Sequence, residues 1–225
     1  MRLEREHILS MLEMQANMNT KINPAWLEAG YPFLRAVVVE SAEAMEHYGW
    51  KWWRHQAPNP DQLRLEIVDI WHFVLSAILV NARGDCKVAA DWLEKRIAAL
   101  DAKSARKVWV FEREYRLEGM SLMDKLELLI GISAFRKIRI PLIDAILDDC
   151  GMSWADLYRQ YIGKNVLNLF RQDHGYKTGA YRKHWHDGRE DNAHLSEILD
   201  DMDFACGDPR SALYAALSER YAMTA

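Results

Sequence analysis

Apolar residues recur at three- and four-residue steps along most of the chain, which is the spacing of one face of an α-helix. The run that begins at Ser121 shows it clearly, because Leu122, Leu126 and Leu129 follow this spacing. Ser121 and Asp124 also match the pair of side chains that caps the start of a helix. The same pattern, with similar end signals, predicts helices over 2–20, from Pro32 to Gly49, from Asp61 as cap to Gly84, from Ser153 to about Arg171, and over 208–222.

Strand patterns are not found in the sequence. No segment alternates apolar and polar residues for the length of a strand between hairpin turns, so we predict no significant sheet. The one long irregular stretch, 174–190, is rich in Gly, Tyr, His and basic residues, and we predict that it forms a mobile basic loop. The simplest architecture is one all-α domain over 1–225, folded as a multi-helix bundle.

Composition and charge exclude several classes of protein. Half of the 225 residues are apolar and 28% are charged, which is typical of a compact soluble protein. No uncharged apolar stretch approaches the roughly 18 residues that a membrane span needs. Glu4, Glu6 and Glu13 do not suit a signal peptide, so we predict a cytoplasmic protein without a membrane partner. The net charge of −4 disfavours a general nucleic-acid binder, which needs surplus Lys and Arg.

The chain has three cysteines, Cys86, Cys150 and Cys206. They are widely spaced, odd in number and form no C-x-x-C pair, so neither a disulfide framework nor a zinc site is indicated. We expect buried, reduced thiols.

Two pairs of carboxylates lie within apolar helical segments. Glu40 and Glu43 are three residues apart, and so are Glu66 and Asp69. On a helix this spacing turns both side chains of a pair to one side. Such pairs are also common on solvated helix surfaces, but Asp69 has apolar neighbours in almost every direction around its helix. We therefore expect Asp69 to be at least partly buried, where it needs a cation, a metal or a proton.

If the two helices face each other, the four carboxylates repel one another unless a divalent metal neutralises them. Ligation by oxygen alone suits Mg²⁺ or Mn²⁺ better than zinc. His184 and His186 are a weaker candidate ligand set, because glycine-rich loops often carry surface histidines. The two carboxylate pairs therefore predict a magnesium site.

A basic segment follows in this acidic protein. Lys164, Asn168 and Arg171 are spaced i, i+4 and i+7, so one helix face presents an ammonium, an amide and a guanidinium. Six basic and two acidic residues lie between Lys164 and Arg189. This surplus fits the capture of a polyphosphate, although a solvated basic surface is the alternative. P-loop and Rossmann motifs are missing from the sequence.

These residues resemble a known family. The pattern Glu40-x-x-Glu43 followed by Glu66-x-x-Asp69 is similar to the metal motif of the all-α nucleoside triphosphate pyrophosphatases. The segments WKWW (50–53), EIVDIWHF (66–73) and YIGKNVLNLFRQDHGYKTGAYRKHW (161–185) resemble its dimeric dUTPase branch more specifically. The similarity covers roughly 12–83 and 154–195. It implies an all-α homodimer that hydrolyses dUTP, and also dUDP, with release of dUMP.

The resemblance also implies roles for single residues. Glu40, Glu43, Glu66 and Asp69 would hold Mg²⁺, and one of Glu40 and Glu43 would be catalytic by orienting the attacking water. Residues near the uracil and sugar would be Gln15, Asn19, His72 and Asn168, with Trp53 or a neighbouring tryptophan against the ring. Residues at the phosphates would be Lys164, Arg171, Tyr176, Lys177 and Lys183. Three tryptophans so close together are, however, more typical of a helix-packing core.

Two other functions stay open at this point. One is a pyrophosphatase of broader specificity, which would share the metal site but not the base pocket. The other is a helical module that binds nucleotide without turnover, although an intact set of four carboxylates argues against it. Selectivity for uracil would come from amide side chains, whose donors and acceptors match its imide and carbonyl edge.

Overall fold

The computed structural model describes residues 3–101, 106–110, 112–202, 204 and 208–223. Within these ranges the chain forms an all-α fold, as predicted, with one small hairpin. The helices are α1 (Arg5–Ile22), α2 (Phe33–Tyr48), α3 (Pro60–Asn81), α4 (Cys86–Ala98), α5 (Leu122–Ala134), α6 (Ile140–Asp149), α7 (Trp154–Asp173), α8 (Asp191–Asp201) and α9 (Pro209–Ala222), and the strands are β1 (Lys107–Val110) and β2 (Arg113–Arg116).

The capping signals of two helices are confirmed. Ser121 caps α5 and Ser153 caps α7, in each case with the acid three residues later. The Ser153 hydroxyl accepts from the Asp156 N–H at 3.2 Å, and the Asp156 carboxylate accepts from the Ser153 N–H at 2.9 Å. These contacts satisfy backbone donors that the first turn of α7 leaves unpaired, and they set where α7 begins.

The predicted start of α3 is wrong by two residues. Asn59, not Asp61, is the cap, since its side-chain oxygen accepts from the Gln62 N–H at 3.2 Å. Pro60 takes the first helical position, where its missing N–H costs nothing. Asp61 instead pairs with Arg64 at 3.1 Å. Pro32 likewise precedes the first turn of α2 instead of lying within it.

The hairpin was not predicted from the sequence, and neither were α4, α6 and α8 as individual helices. Strands β1 and β2 pair antiparallel with Val108 opposite Tyr115. Val108 and Val110 are buried while Lys107 and Trp109 are exposed. Four residues are too few for a sustained alternation to be visible in the sequence, and two short strands leave the all-α class unchanged.

Helix α3 lies at the centre of the bundle and packs against α1, α2, α4 and α7. Most of its residues are buried, including Glu66 and His72. Helix α8 packs closely on α7: a side chain at Gly163 would begin 2.6 Å from a Leu199 methyl group. These contacts bring α2 and α7 against α3 and place α8 against α7.

Two findings concern the thiols and the membrane. Cys86 is partly buried and Cys150 buried, and burial raises the pKa of the Cys150 thiol to about 12. Cys206 lies outside the described residues. Among the described helices, none combines the length and the apolar character needed to cross a bilayer.

Candidate active site

An acidic cluster forms where α2 and α3 pack against each other. One carboxylate oxygen from each of Glu40, Glu43 and Glu66 lies within 4.8 Å of the others. The three-residue spacing turns the two α2 residues toward α3, and Glu66 meets them from a buried position on α3. Three hard oxygen donors at this separation form the kind of site that a divalent cation such as Mg²⁺ or Mn²⁺ occupies.

Burial and mutual repulsion change the acidity of this cluster. Burial, and then the charges of Asp69 and Glu43, raise the pKa of Glu40 to about 8. Burial and the charge of Asp69 raise the pKa of Glu66 to about 7, against the opposing charge of Lys164. Both carboxyl groups therefore hold their protons more strongly than free glutamate, first because burial disfavours the charged form and then because neighbouring carboxylates repel it.

Asp69 is partly buried, as the sequence predicted, with 21% of its side chain exposed. Its carboxylate lies 2.9 Å from the Lys164 ammonium on α7. Asp69 therefore joins the acidic cluster of α2 and α3 to the cationic face of α7, which is the face that carries Lys164, Asn168 and Arg171. His47, which the sequence did not single out, lies 3.3 Å from the Glu66 carboxylate at the other side of the cluster.

The cationic face of α7 is organised by the start of α8. Lys164 donates to the Asn192 side-chain oxygen at 3.1 Å. Arg171 makes two 2.8 Å hydrogen bonds to Asp191 and one of 3.0 Å to Asn168. Asp191 and Asn192 were not predicted from the sequence. A signal in the sequence that could have indicated them is an acid followed by an amide, directly after the basic segment.

A buried polar network links the residues expected near the nucleoside. Gln15 donates to Asn19 at 3.1 Å, and Asn19 donates to Ser76 at the same distance. The Tyr161 hydroxyl donates to Gln15 at 3.0 Å, and the Tyr161 ring stacks on His72 with centroids 4.3 Å apart. The structure therefore brings Gln15, Asn19 and His72 together, with Ser76 and Tyr161 as further members that were not predicted.

His72 carries an unpaired acceptor in this network. Its Nδ1 lies 2.9 Å from the Val68 carbonyl oxygen, so Nδ1 carries the proton and Nε2 a lone pair. Among buried side-chain atoms of the described residues, only His72 Nε2 lacks a hydrogen-bond partner. Burial lowers the pKa of His72 to about 4, so the ring is neutral near pH 7. An unpaired buried acceptor is costly, and a donor on a bound ligand would remove that cost.

The tryptophans of the WKWW segment are exposed, so the interpretation as a helix-packing core is wrong. Trp52 is 87% exposed and Trp53 54% exposed. Trp53 packs edge to face against both Trp50 and Trp52, and the Trp50 indole donates to Glu46. The segment follows the left-handed Gly49 that ends α2, which carries it away from the core.

The segment 174–190 is attached to the core by aromatic side chains. Tyr181 and Trp185 are buried and contact Phe170. The Lys177 ammonium donates to the Ile22 carbonyl at 3.2 Å, at the end of α1. Lys183 pairs with Glu190 at 3.1 Å. The Tyr176 ring is exposed, and the Arg171 guanidinium lies 5.9 Å from its centre.

Comparison with known proteins agrees with this arrangement. A family model described as dUTPase matches residues 7–176, which include most of α1, the whole of α2 to α7 and all of the acidic cluster. Comparison with curated protein sequences finds no match. The matched range covers more than half of the chain and contains the polar network as well as the cationic face of α7. The chain therefore belongs to the all-α dUTPase family and is an enzyme that hydrolyses dUTP.

Proposed function

We propose that the enzyme converts dUTP to dUMP and pyrophosphate with Mg²⁺ held by Glu40, Glu43, Glu66 and Asp69. The observation that carries this proposal is the convergence of three glutamate oxygens within 4.8 Å between two facing helices. The family suggests a divalent metal, and a donor set of carboxylate oxygens fits Mg²⁺. When bound, Mg²⁺ would neutralise charge on the phosphate oxygens and lower the pKa of a coordinated water.

Side chains of the protein would orient the attacking water and bind the phosphates. One carboxylate of the Glu40–Glu43 pair accepts a hydrogen bond from the attacking water and orients it. Lys164 lies beside Asp69, so its ammonium is placed to donate to a phosphate held next to the acidic cluster. Arg171, Tyr176, Lys177 and Lys183 extend this contact along the triphosphate.

The nucleoside would bind at the polar network. Gln15, Asn19, His72 and Asn168 present amide and imidazole groups, and the His72 Nε2 acceptor suits the donor of a sugar hydroxyl or of the uracil imide. Trp53 is exposed and therefore free to pack against the base. The amides support uracil selectivity, because a pocket built to pair with one set of donors and acceptors rejects a base with another.

The direct test is steady-state release of pyrophosphate from dUTP, with Mg²⁺, with Mn²⁺ and after chelation. We expect turnover that requires divalent metal, and a slower release of phosphate from dUDP. Hydrolysis of a panel of other triphosphates at rates equal to dUTP would favour the pyrophosphatase of broader specificity.

Asn168→Ala is expected to lower kcat/KM for dUTP more than for dCTP. The amide would contact the nucleoside from the face of α7, and cytosine does not use that contact fully. A fall by about tenfold for dUTP corresponds to one lost hydrogen bond in a dry site. An equal proportional loss for both substrates would assign Asn168 a structural role.

We also propose that the active form is a homodimer, since two-fold dimers are the most common closed assembly of soluble homo-oligomers. The exposed tryptophans of 50–53 are side chains of the kind enriched in protein interfaces. Light scattering at micromolar concentration should give twice the 26.2 kDa mass of one chain. The mass of a single chain would contradict the dimer. Location in the cytoplasm stays a prediction from the sequence.

The segment 174–190 is proposed to close over the triphosphate. Lys177 and Lys183 would exchange their present partners, the Ile22 carbonyl and Glu190, for phosphate oxygens when a polyphosphate arrives, and glycines within the segment allow the backbone to move. Amide hydrogen exchange should show added protection of 174–190 with Mg²⁺ and a non-hydrolysable dUTP analogue. Equal protection in both states would favour a permanently ordered loop anchored by Tyr181 and Trp185.

A further inference from the structure

Asp191, the first residue of α8, is a fully buried carboxylate beyond the range that the family model matches. One oxygen accepts from Arg171 Nε at 2.8 Å and from the Tyr181 hydroxyl at 2.8 Å, and the other accepts from Arg171 Nη2 at 2.8 Å. The Asp191 N–H donates to the Lys183 carbonyl at 3.0 Å. A buried carboxylate with this many partners is held in one position.

The two parallel bonds to Asp191 fix the plane of the Arg171 guanidinium. With Nε and Nη2 held, Nη1 is directed at Asn168, whose side-chain oxygen lies 3.0 Å away. A guanidinium has donors and no acceptor, so it can pair only with the oxygen end of an amide. The NH₂ end of Asn168 is therefore turned away from Arg171.

We infer that Asp191 is a positioning residue for base selectivity: acting through Arg171, it turns the NH₂ group of Asn168 toward the nucleotide. This inference rests on the proposed function, in which Asn168 contacts the nucleoside. The NH₂ group donates to the 4-carbonyl of uracil. Cytosine carries an amine at that position, which is itself a donor, so the same amide opposes it.

The aromatic residues of 174–190 hold Asp191 from its other side. The Trp185 indole donates to the Tyr181 hydroxyl at 3.3 Å, and that hydroxyl donates to Asp191. Both rings are buried against Phe170. A chain of hydrogen bonds therefore runs from Trp185 through Tyr181, Asp191 and Arg171 to Asn168.

The test measures kcat/KM for dUTP, dTTP and dCTP in Asp191→Asn, Arg171→Lys and Tyr181→Phe. Asp191→Asn cannot accept both Arg171 bonds, and Arg171→Lys keeps the charge but cannot span Asp191 and Asn168. We expect the dUTP to dCTP ratio to fall about tenfold in these two variants and less in Tyr181→Phe. The dUTP to dTTP ratio should stay unchanged, because thymine carries the same 4-carbonyl.

Tyr214→Phe is the matched control. The Tyr214 hydroxyl also donates to a carboxylate, that of Asp173, and its ring contacts Phe170 in the same aromatic cluster. This variant should keep both substrate ratios of the unaltered enzyme. If Asp191→Asn does not fold, the substrate ratios of Arg171→Lys and Tyr181→Phe still test the inference, since both variants keep Asp191.

The outcomes separate the inference from the proposed function. An unaltered enzyme that turns over dCTP as well as dUTP would contradict the proposed nucleoside site. An unaltered enzyme that prefers dUTP, with variants that slow all three substrates by one factor, would overturn only the role of Asp191. A fall in the dUTP to dCTP ratio with a constant dUTP to dTTP ratio supports that role.

Discussion

Glu40→Gln is expected to lower kcat for dUTP at least about 100-fold, because it removes a charged ligand from the acidic cluster while keeping the shape of the side chain. Glu40 is the residue on which the charges of Asp69, Glu43 and Glu66 all act. Loss of its charge therefore weakens metal binding at the centre of the cluster. Steady-state release of pyrophosphate over a range of Mg²⁺ concentrations measures the effect.

The same variant is expected to make the metal-free protein more stable above pH 8. The pKa of Glu40 is raised to about 8 in the folded state, against 4.5 as its ordinary value. Between these values the folded state holds a proton that the unfolded state has lost, so stability falls as pH rises. Glutamine does not ionise, so the variant does not lose stability in this way. Urea unfolding in the presence of a chelator at pH 6 and pH 9 compares the two proteins.

Asp61→Asn is the control for this prediction. Asp61 lies on α3, like Glu66, but its side chain is 86% exposed and pairs with Arg64 at the surface. We expect its turnover and its pH dependence to match those of the unaltered enzyme. Turnover of Glu40→Gln at the rate of Asp61→Asn would contradict the metal site.

Lys164→Met is expected to lower kcat/KM for dUTP by roughly 10- to 100-fold. This factor corresponds to the loss of one charge-assisted hydrogen bond in a buried site. Lys164 is buried between Asp69 and Asn192, and methionine fills nearly the same space without the charge. The variant should also lose roughly 1–3 kcal/mol of unfolding free energy, since Asp69 is left without its cation. Enzyme kinetics and chemical unfolding measure the two effects.

A double variant separates the structural role of Lys164 from its role at the substrate. Combining Lys164→Met with Asp69→Asn removes both charges of the pair, so the unfolding free energy should recover. Activity should not recover, because the phosphate has lost the Lys164 donor and the metal has lost the Asp69 carboxylate as a ligand. Recovery of activity together with stability would show that Lys164 serves only to neutralise Asp69.

Lys125→Met provides the matched control. Lys125 is the other buried lysine of the described chain, and it pairs with Asp149 at 2.6 Å, outside the acidic cluster. Loss of the Lys125 charge should lower the unfolding free energy by an amount similar to that in Lys164→Met. The folded fraction should keep its kcat/KM for dUTP.

Local patterns in the sequence predicted six of the described helices, α1, α2, α3, α5, α7 and α9, and proposed the acidic pairs of the candidate site. Ser121 and Ser153 were identified as caps because a capping box needs only four consecutive residues. The pairing of Glu40 with Glu43 was visible because their spacing is set by one helix. The hairpin and the exposure of Trp52 were not predicted, because short strands and exposed aromatic residues carry no periodic signal.

Contacts between distant residues required the packed structure. Asp69 and Lys164 are far apart in the chain, and they meet only because α3 and α7 pack together. Asp191 reaches Arg171 because the chain returns after 174–190 and α8 packs closely on α7 at Gly163. No spacing in the sequence indicates either pair.

The sequence by itself determined the all-α class, the acidic pairs on α2 and α3 and the polar face of α7, since helical periodicity is a property of neighbouring residues. Tertiary structure decided how these charges are balanced. It gathered Glu40, Glu43 and Glu66 into one cluster, and it gave Lys164 and Arg171 separate carboxylate partners. The physical reason is that burial and charge pairing depend on distances between helices, which only the packing of the whole chain sets.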